Sequence, residues 1–409
     1  MNKADVMKEA ARCINCKHKP CMVACPAHND IPLMLKYASM GEFDEARRVW
    51  HQTSNLPELC GNLCQNDHLC VGHCTLQKLN KPIQIGFVEA YLGADQPHYV
   101  GEIQPSNGKR HLVIGLGPSG LANAIAMAER GYQVVAMDRQ NEIGGTVYNL
   151  IPDFRFDKDI LTSIKTRLER LHVDIQLHTE VGVSCNLTDL AKQYDSIYIA
   201  HGLDSPQIVP VETENVHPYY AIDLLDRHKY QAEDLDALLG HHCVIIGLGN
   251  VAIDMARTLL RLNKQVTILY RRTIQEAPAG YHEIMDAIEE GLVIQELLGP
   301  VKFYRQGEEK YLDCEQNCLI KDPHSARSMI EKVPDSSVRF QLDELIFATG
   351  QASSDVLFRD TDIRLLPEIS PYHTNHPNIF VGGDRVNKQK RIVDAMVSGL
   401  EVAKWIHGE

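Results

Sequence analysis

The sequence predicts an α/β protein in which two strand–turn–helix–strand units follow a helical segment rich in cysteine. One unit begins at His111 and a similar one begins at His242, and in both an apolar run leads through glycines into a helical pattern. Eight of the twelve cysteines lie between Cys13 and Cys74, ahead of both units. At about 150 residues per domain, the 409 residues suffice for two to three domains.

The first unit reads HLVIGLGPSG from His111 to Gly120, and its second apolar run, QVVAM, is followed directly by Asp138. Glycines in this setting let the backbone approach a pyrophosphate, while the helix N-terminus supplies N–H donors. Asp138 is placed to accept a hydrogen bond from a ribose hydroxyl. We predict a dinucleotide site here; the alternative is a tight turn without a ligand. The predicted binding residues are Gly115, Gly117, Pro118, Ser119, Gly120, Asp138 and Arg139.

The cysteines form two groups, Cys13-x2-Cys16-x4-Cys21-x3-Cys25-Pro26 and Cys60-x3-Cys64-x5-Cys70-x3-Cys74. A structural zinc site usually has paired C-x2-C knuckles, and these groups contain only one C-x2-C. The first group is typical of ferredoxin-type iron–sulfur ligation, except that four residues fill its middle gap where bacterial ferredoxins have two. We therefore predict iron–sulfur clusters, with zinc as the alternative. Two four-iron clusters need eight ligands, which a simple count would assign to all eight cysteines.

Composition excludes several classes of protein. The net charge of −13 argues against a nucleic-acid-binding surface. The chain has no apolar run of about 18 residues and no apolar signal core at its N-terminus, so we expect neither a membrane span nor export. Cysteines in such a chain indicate metal or redox chemistry rather than disulfides. We expect a cytoplasmic protein.

Taken together, the motifs resemble those of the glutamate synthase small subunit family, and equally the N-terminal half of dihydropyrimidine dehydrogenase and that enzyme's bacterial small subunit. The resemblance runs nearly end to end and includes RCINCKHKPCMVACP, LCGNLCQNDHLCVGHC, PIQIGFVE, NEIGGTVYNLIPDFRFDKD, ATGQ and VGGD. It implies a fold like that of glutathione and adrenodoxin reductases, with two interleaved Rossmann-like domains after a helical domain that binds two 4Fe–4S clusters. The implied domains are a helical domain at 1–103, an FAD-binding domain at 104–205 and 350–409, and an NADP(H)-binding domain at 206–349.

The resemblance also implies that the two clusters share the cysteine groups crosswise. Glu89, the last residue of PIQIGFVE, would be a ligand, where dihydropyrimidine dehydrogenase has glutamine. Cys60 is then a buried thiol without a ligand role; alternatively, Cys60 completes the second cluster and Glu89 is a solvated helix carboxylate. Gln65 departs from the family, which usually has proline there. The implied ligands are Cys13, Cys16, Cys21 and Cys74 for one cluster, and Cys25, Cys64, Cys70 and Glu89 for the other.

In the second unit, HCVIIGLGNVAID, the position of Asp138 is taken by Tyr270, which precedes two arginines. An acid bonds a ribose 2′-hydroxyl but repels a 2′-phosphate, whereas arginine binds phosphate well. We therefore expect this site to prefer NADP(H) over NAD(H); the alternative is two solvated arginines. The predicted binding residues are Gly247, Gly249, Asn250, Val251, Ala252, Arg271 and Arg272.

Further flavin contacts are implied by the resemblance. In relatives the aspartate of VGGD binds the ribityl chain, and the helix that follows points its N-terminus at the flavin ring. The alternative for VGGD is a simple turn that contacts no flavin. The segments IYIAHGL and LIFATGQ would mark where the chain leaves and re-enters the FAD domain. The residues concerned are Gly144, Gly145, Thr146, Gly383, Asp384 and Val393.

These parts predict an NADPH-dependent oxidoreductase that passes electrons through FAD and two 4Fe–4S clusters to a partner protein. No catalytic acid, base or nucleophile is expected, because the cofactors carry the chemistry. The acceptor should be another protein, since the residues are already assigned to the predicted domains. The partner is a glutamate synthase large chain, a dihydropyrimidine dehydrogenase catalytic chain or, for a stand-alone ferredoxin:NADP reductase, a ferredoxin. A redox-sensing module without turnover is a further alternative.

Overall fold

The computed structural model describes residues 2–95, 101–230, 234–322, 328–354, 356–359 and 361–408. The outermost residues of the predicted domains, 1 and 409, lie outside the described residues. The chain forms two compact units: one contains Met1–Tyr148, Asp153–Asp204 and Ser353–Glu409, and the other contains Asn149–Pro152 and Ser205–Ala352. Within the described ranges, no helix is long and apolar enough to cross a membrane.

The cysteine-rich segment is helical, as predicted. Its helices are α1 Lys3–Ala10, α2 Pro20–Ala24, α3 Ile31–Met40, α4 Phe43–His51, α5 Pro57–Leu63 and α6 Ile85–Asp95. Helices α5 and α6 cross almost in backbone contact, because a Cβ on Gly61 would lie 2.3 Å from the nitrogen of Ala90. A Cβ on Gly93 would likewise lie 2.7 Å from the nitrogen of Glu58. This crossing brings Cys60 of α5, and Cys64 at the C-cap of α5, next to α6.

The first Rossmann-like fold begins with β1, whose residues after Arg110 are all buried. Its glycine-rich turn lies between β1 and α7, and Asp138 directly follows β2. The elements of this stretch are β1 Arg110–Ile114, α7 Pro118–Glu129, β2 Gln133–Met137, α8 Thr146–Asn149, α9 Asp159–Arg170, β3 Asp174–Gln176, α10 Leu187–Leu190 and β4 Ser196–Ile199.

The second compact unit contains the second Rossmann-like fold and an antiparallel extension. Its elements are β5 Ser205–Pro206, β6 Glu212–Glu214, β7 Tyr219–Tyr220, α11 Ala221–Tyr230, α12 Leu235–Leu238, β8 His242–Ile246, α13 Asn250–Arg261, β9 Gln265–Tyr270, α14 Tyr281–Glu289, β10 Val293–Glu296, β11 Leu298–Gln306, β12 Glu309–Ile320, β13 Met329–Leu342, β14 Glu344–Phe347 and β15 Gln351–Ala352. A parallel sheet has the order β10-β9-β8-β14-β7, and a second sheet has the order β13-β12-β11-β6. Strands β5 and β15 pair antiparallel.

The chain then completes the first fold with β16 Ile379–Val381 and α15 Ile392–His407. Its parallel sheet has the order β16-β4-β1-β2-β3. Helix α15 packs closely on α7, since a Cβ on Gly399 would lie 2.3 Å from the carbonyl oxygen of Ser119. The helical segment is tied to this fold by a buried ion pair between Arg167 of α9 and Glu58 of α5, 3.1 Å apart. The predicted fold class is confirmed; the domain boundaries stay predictions.

Candidate functional site

The first glycine-rich turn lies against the backbone that follows β4. Gly115 has a φ of +95°, and a Cβ there would lie 2.6 Å from the carbonyl oxygen of Ala200. A Cβ on Gly120 would lie 1.8 Å from the carbonyl oxygen of Gly115. The N-cap residue Gly117 offers no side chain to the first N–H groups of α7, so these donors are open to an anion. Turn and helix together have the form that binds a pyrophosphate.

Asp138 is buried beside this turn. One carboxylate oxygen accepts a hydrogen bond from the N–H of Leu116 at 2.6 Å, and the other accepts one from the N–H of Gln140 at 2.9 Å. Burial raises the pKa of Asp138, and both backbone donors oppose that shift. Each oxygen retains a second lone pair, so acceptance from a ribose hydroxyl stays a prediction. Arg139 is exposed and pairs with Asp204 at 3.1 Å.

Two further loops meet the first turn. A Cβ on Gly145 would lie 3.0 Å from the Cα of Gly117, and one on Gly383 would lie 3.1 Å from the Cβ of Ser119. Next to Gly383, the buried Oδ1 of Asp384 has no hydrogen-bond partner in the described part of the chain. Burial raises the pKa of Asp384 to about 6. Buried polar atoms are normally bonded, so this oxygen suits a donor on a bound ligand.

The remaining residues predicted for this site lie around the same turn. Pro118 is the first residue of α7. The N–H of Gly144 donates to the carbonyl oxygen of Leu116 at 2.8 Å, which joins the Gly144 loop to the turn. Thr146 is exposed at the start of α8, and Val393 is buried on α15. The three chain segments implied by the resemblance therefore converge on one place.

A buried hydroxyl network beneath this turn was not predicted from the sequence. The Tyr198 hydroxyl lies 2.7 Å from Oγ of Ser119, which in turn lies 3.0 Å from Oγ of Ser398. The Ser398 oxygen accepts a hydrogen bond from the N–H of Gly383 at 2.9 Å. Burial raises the pKa of Tyr198 to about 12, so its hydroxyl stays protonated. The network fixes the Gly383 loop relative to α7.

The second glycine-rich turn repeats the backbone of the first. Gly247 has a φ of +118°, and a Cβ there would lie 2.4 Å from the carbonyl oxygen of Ala348. The N-cap residue Gly249 again leaves the first N–H groups of α13 without a side-chain cap. Ala252 occupies the position of the third glycine and is fully buried. The first turn of α13 also contains the predicted residues Asn250 and Val251.

The two arginines after β9 have different surroundings. Arg272 pairs with Glu276 at 2.8 Å and also donates to the carbonyl oxygen of Ser328. Arg271 is exposed, and no described residue forms an ion pair with its guanidinium. Arg271 can therefore meet an added phosphate directly, whereas Arg272 would first have to leave Glu276.

A small cavity in the helical segment is lined by four cysteines from three parts of the chain, namely Cys13, Cys16, Cys21 and Cys74. The Cys16 thiol lies 3.0 Å from Oγ1 of Thr75, which holds the first cysteine loop beside Cys74. Burial raises the pKa of Cys13, and it raises the pKa of Cys21 to about 11; Cys74 adds to both shifts. We call these four residues the first cysteine set.

A second set, formed where α5 meets α6, consists of Cys25, Cys64, Cys70 and Glu89. Burial raises the pKa of Cys25 to about 11, and the neighbouring Glu89 and Cys64 add to that shift. Burial also raises the pKa of Cys70, with the same two neighbours adding to it. The eight predicted ligands thus lie in two separate sets, and their role as ligands stays a prediction.

Glu89 is 4% exposed, so it is not a solvated helix carboxylate. Its Oε1 accepts a hydrogen bond from the indole N–H of Trp50 at 2.9 Å, a contact across 39 residues that the sequence did not predict. Burial raises the pKa of Glu89; the nearby Cys64 adds to the shift and Trp50 opposes it. Cys60 is also buried, with Sγ 3.9 Å from Sδ of Met396 on α15.

The donor chemistry of both sets suits iron–sulfur clusters. All twelve cysteines are free thiols. In the described ranges, no three His, Cys, Asp or Glu side chains are arranged to hold a single metal ion. A four-iron cluster presents a separate iron to each ligand, so its donors surround a space instead of one point. Thiolates are the soft donors that such clusters use, and the carboxylate of Glu89 would add one harder oxygen donor to the second set.

Comparison with known proteins identifies both parts of the chain. Residues 1–99 match the family described as dihydropyrimidine dehydrogenase domain II, 4Fe-4S cluster. Residues 109–399 match the family described as pyridine nucleotide-disulphide oxidoreductase. The chain belongs to this second family. It is an NAD(P)H-dependent flavoprotein oxidoreductase with an iron–sulfur domain at its N-terminus.

Individual relatives agree with this membership. The chain is 31% identical to the glutamate synthase (NADPH) small chain of Escherichia coli, over 97% of this chain and 90% of that one. It is 29% identical to the NAD-dependent dihydropyrimidine dehydrogenase subunit PreT of Escherichia coli, over 98% of this chain and 93% of that one. The chain thus belongs to the glutamate synthase small-chain family, and the predicted resemblance is confirmed.

A solved structure supports the fold. Mycobacterium tuberculosis FprA in complex with NADPH aligns with a TM-score of 0.62 at 16% identity, over 75% of this chain and 85% of that one. At this identity the likeness concerns the fold alone.

Proposed function

We propose that this chain is an NADPH-dependent oxidoreductase of the glutamate synthase small-subunit type, which uses FAD and two 4Fe–4S clusters to pass electrons to a partner protein. The observation that carries the proposal is that one compact unit contains both cysteine sets and the first glycine-rich turn. Met396 of α15 lies 3.2 Å from Oγ of Ser54 and 3.9 Å from Sγ of Cys60. Helix α15, which lies beside the proposed flavin site, therefore contacts residues near the second cysteine set.

The chain's own residues would hold the cofactors as follows. The open N–H groups of α7 would bind the FAD pyrophosphate, and Asp138 and Asp384 would accept hydrogen bonds from its hydroxyls. The second turn would bind NADPH, with Arg271 on the 2′-phosphate. When bound, these cofactors supply hydride transfer from nicotinamide to flavin and single-electron transfer through the clusters. The first cysteine set would hold one cluster, and the second set would hold the other.

Two further assignments complete the proposal. The helical domain would span 1–103, the FAD-binding domain 104–205 and 350–409, and the NADP(H)-binding domain 206–349. The twelve free cysteines support a reducing compartment such as the cytoplasm.

The partner is proposed from the relatives. A glutamate synthase small chain serves as one subunit of its enzyme, which favours a large synthase chain as the acceptor. The chain also covers 93% of PreT, a dihydropyrimidine dehydrogenase subunit, and that length match favours a pyrimidine-reducing partner as the second candidate. NADPH oxidation by the purified complex with glutamine plus 2-oxoglutarate, compared with uracil, distinguishes the two.

Iron counts in cysteine variants test the cluster assignment. We expect about eight iron atoms per wild-type chain, since two four-iron clusters are proposed. Cys64→Ser should lose about half of this iron, whereas Cys60→Ser should keep it, and Glu89→Ala should alter the spectrum of one cluster. Iron loss in Cys60→Ser together with an unchanged Glu89→Ala spectrum would make Cys60 the ligand. Wild-type protein that binds no iron after anaerobic reconstitution would refute the proposal.

A further inference from the structure

We propose that the surface around the first cysteine set is the docking site of the electron-accepting partner, and that the partner meets it with an acidic protein face. This inference rests on the proposed function, since it adds the place and the charge of the acceptor to that scheme. The residues of this surface, which we call the acceptor surface, are Ile14, Lys17, Val23, Lys78, Leu79 and Lys81.

The acceptor surface has an apolar centre. Ile14 is 58% exposed, Val23 71% and Leu79 68%. Ile14 lines the cavity of the first cysteine set, and Val23 lies on α2 beside Cys21. Leu79 ends the 3₁₀ turn that directly follows Cys74. All three residues thus lie within five positions of a cysteine of the first set. Exposed apolar side chains that share one neighbourhood mark an interaction site more often than an ordinary surface.

Three lysines lie in the same chain segments as these apolar residues. Lys17, Lys78 and Lys81 are exposed, and no described residue forms an ion pair with any of them. The backbone carbonyl of Lys81 accepts a hydrogen bond from Arg12 at 2.6 Å, which holds this lysine next to the first cysteine loop. Lys17 directly follows Cys16 in that loop.

Two acidic residues near these lysines in the chain are paired with other cations, while Glu89 is buried and Asp67 is half-buried in the 3₁₀ turn Asn66–His68. Glu9 pairs with Arg12 at 2.5 Å, and Asp30 pairs with Lys19 at 3.1 Å. The residues of the acceptor surface include three lysines and no carboxylate, although the chain as a whole has a net charge of −13.

Charge complementarity decides the kind of partner. Unpaired lysines around an apolar centre fit a protein whose carboxylates surround an apolar contact, and such complementarity steers association and orientation. The apolar centre favours a protein over a DNA duplex, because protein interfaces combine apolar and charged contacts whereas DNA is held mainly through its phosphates. A protein docked here would lie directly over the first cysteine set, whose cavity Ile14 lines.

Binding of an acidic plant-type ferredoxin carrying gallium in place of iron tests the proposal without requiring electron transfer. The triple variant Lys17→Glu, Lys78→Glu, Lys81→Glu should weaken this binding about tenfold or more at low salt. The matched triple variant Lys109→Glu, Lys321→Glu, Lys404→Glu, at exposed lysines with which no described residue forms an ion pair, changes the net charge equally and should weaken binding less than about twofold. Wild-type binding should also weaken with salt, since the Debye length is about 10 Å at 0.1 M.

Neutral and apolar variants guard against misfolding. A Lys→Gln triple at positions 17, 78 and 81 should lose affinity in the same direction while keeping the wild-type iron content. Leu79→Ser should weaken binding severalfold at high salt, whereas Ile369→Ser, at a residue that is 64% exposed elsewhere, should not. Equal affinities of the surface and control variants would overturn the proposal.

Ferricyanide reduction by NADPH separates the two claims. If the wild-type protein does not reduce ferricyanide with NADPH, the proposed function is refuted, whatever the ferredoxin result. With the activity intact, the docking proposal is overturned if gallium ferredoxin does not bind, or if basic cytochrome c binds more tightly. It is also overturned if a DNA duplex or phosphatidylserine vesicles bind at the acceptor surface while ferredoxin does not.

Discussion

The two glycine-rich turns share a backbone design and differ in the side chains around it. In each turn the first glycine has a positive φ. A Cβ on that glycine would lie 2.6 Å from the carbonyl oxygen of Ala200 in the first turn and 2.4 Å from that of Ala348 in the second. Each helix begins without a side-chain cap. The strand ends differ, with buried Asp138 in the first fold and exposed Arg271 in the second.

This difference separates what the backbone does from what the side chains do. The repeated turn provides N–H donors for a pyrophosphate in both folds, so it does not distinguish one dinucleotide from another. In Rossmann-like folds generally, the side chain at the end of the second strand meets the ribose, and its charge decides between a free hydroxyl and a phosphate. Variants at corresponding positions of the two folds can therefore test each role separately.

The largest difference is expected at the third glycine position. Gly120→Ala would place a Cβ 1.8 Å from the carbonyl oxygen of Gly115, and neither backbone can shift easily. We expect a loss of about 3 kcal/mol or more in stability, together with loss of bound flavin. Ala252→Gly, at the corresponding position, should cost about 1 kcal/mol through helix propensity and about 1 kcal/mol more through the loss of a buried methyl group. Thermal unfolding and flavin content measure both, and equal losses would show that the two turns are packed alike.

The next effect is on dinucleotide selectivity. Arg271→Ala should weaken NADPH binding by about tenfold to a hundredfold, since a bond to a charged group contributes about 1.5–3 kcal/mol. NADH binding should change less than about twofold, because NADH lacks the 2′-phosphate. Arg272→Ala is the matched comparison, and the Glu276 pair predicts a smaller loss of selectivity for it. Titration calorimetry with both dinucleotides decides; parallel losses of NADPH and NADH in Arg271→Ala would contradict the assignment.

The smallest effect is a pH dependence specific to the flavin site. Burial raises the pKa of Asp384 from 3.8 to about 6, so the flavin-free fold favours the protonated form. That contribution to stability is complete below about pH 4 and is lost as the pH rises through about 6. A flavin hydroxyl that donates to Asp384 favours the ionised form, so FAD affinity should fall severalfold from pH 7 to pH 5. NADPH affinity of the second fold should not follow this profile.

Asp384→Asn provides the control for this titration. An amide does not ionise in this range, so the FAD affinity of the variant should not show the fall from pH 7 to pH 5. Fluorescence quenching of FAD at several pH values measures the profile. An unchanged profile in Asp384→Asn would assign the pH dependence to another group.

The local elements of the fold could be predicted from the sequence. Strand, glycine turn and helix follow each other within about 30 residues in each Rossmann-like unit, and their signals are periodicity and glycine position. The residues Gly115 and Gly247 are recognisable for this reason. The first turn's further contacts at Gly145 and Gly383 came from family resemblance, because they join distant parts of the chain.

Contacts that depend on tertiary packing could not be derived in this way. Trp50 reaches Glu89 only because α4, α5 and α6 pack together, and the crossing of α5 and α6 depends on Gly61 and Gly93. Tyr198 reads in the sequence as an ordinary apolar strand residue, while its hydroxyl bonds Ser119 across 79 residues. Arg271 and Arg272 also look equivalent in the sequence, and only the structure shows that Glu276 pairs with Arg272.

Anaerobic titration with NADPH, followed at once by visible absorbance and by electron paramagnetic resonance, tests whether electrons pass from NADPH through the flavin to the clusters. We expect the flavin absorbance to bleach and the signals of reduced iron–sulfur clusters to appear in the same sample, with NADH much less effective. Flavin that bleaches while the clusters stay oxidised, or flavin that NADPH does not bleach, would contradict it.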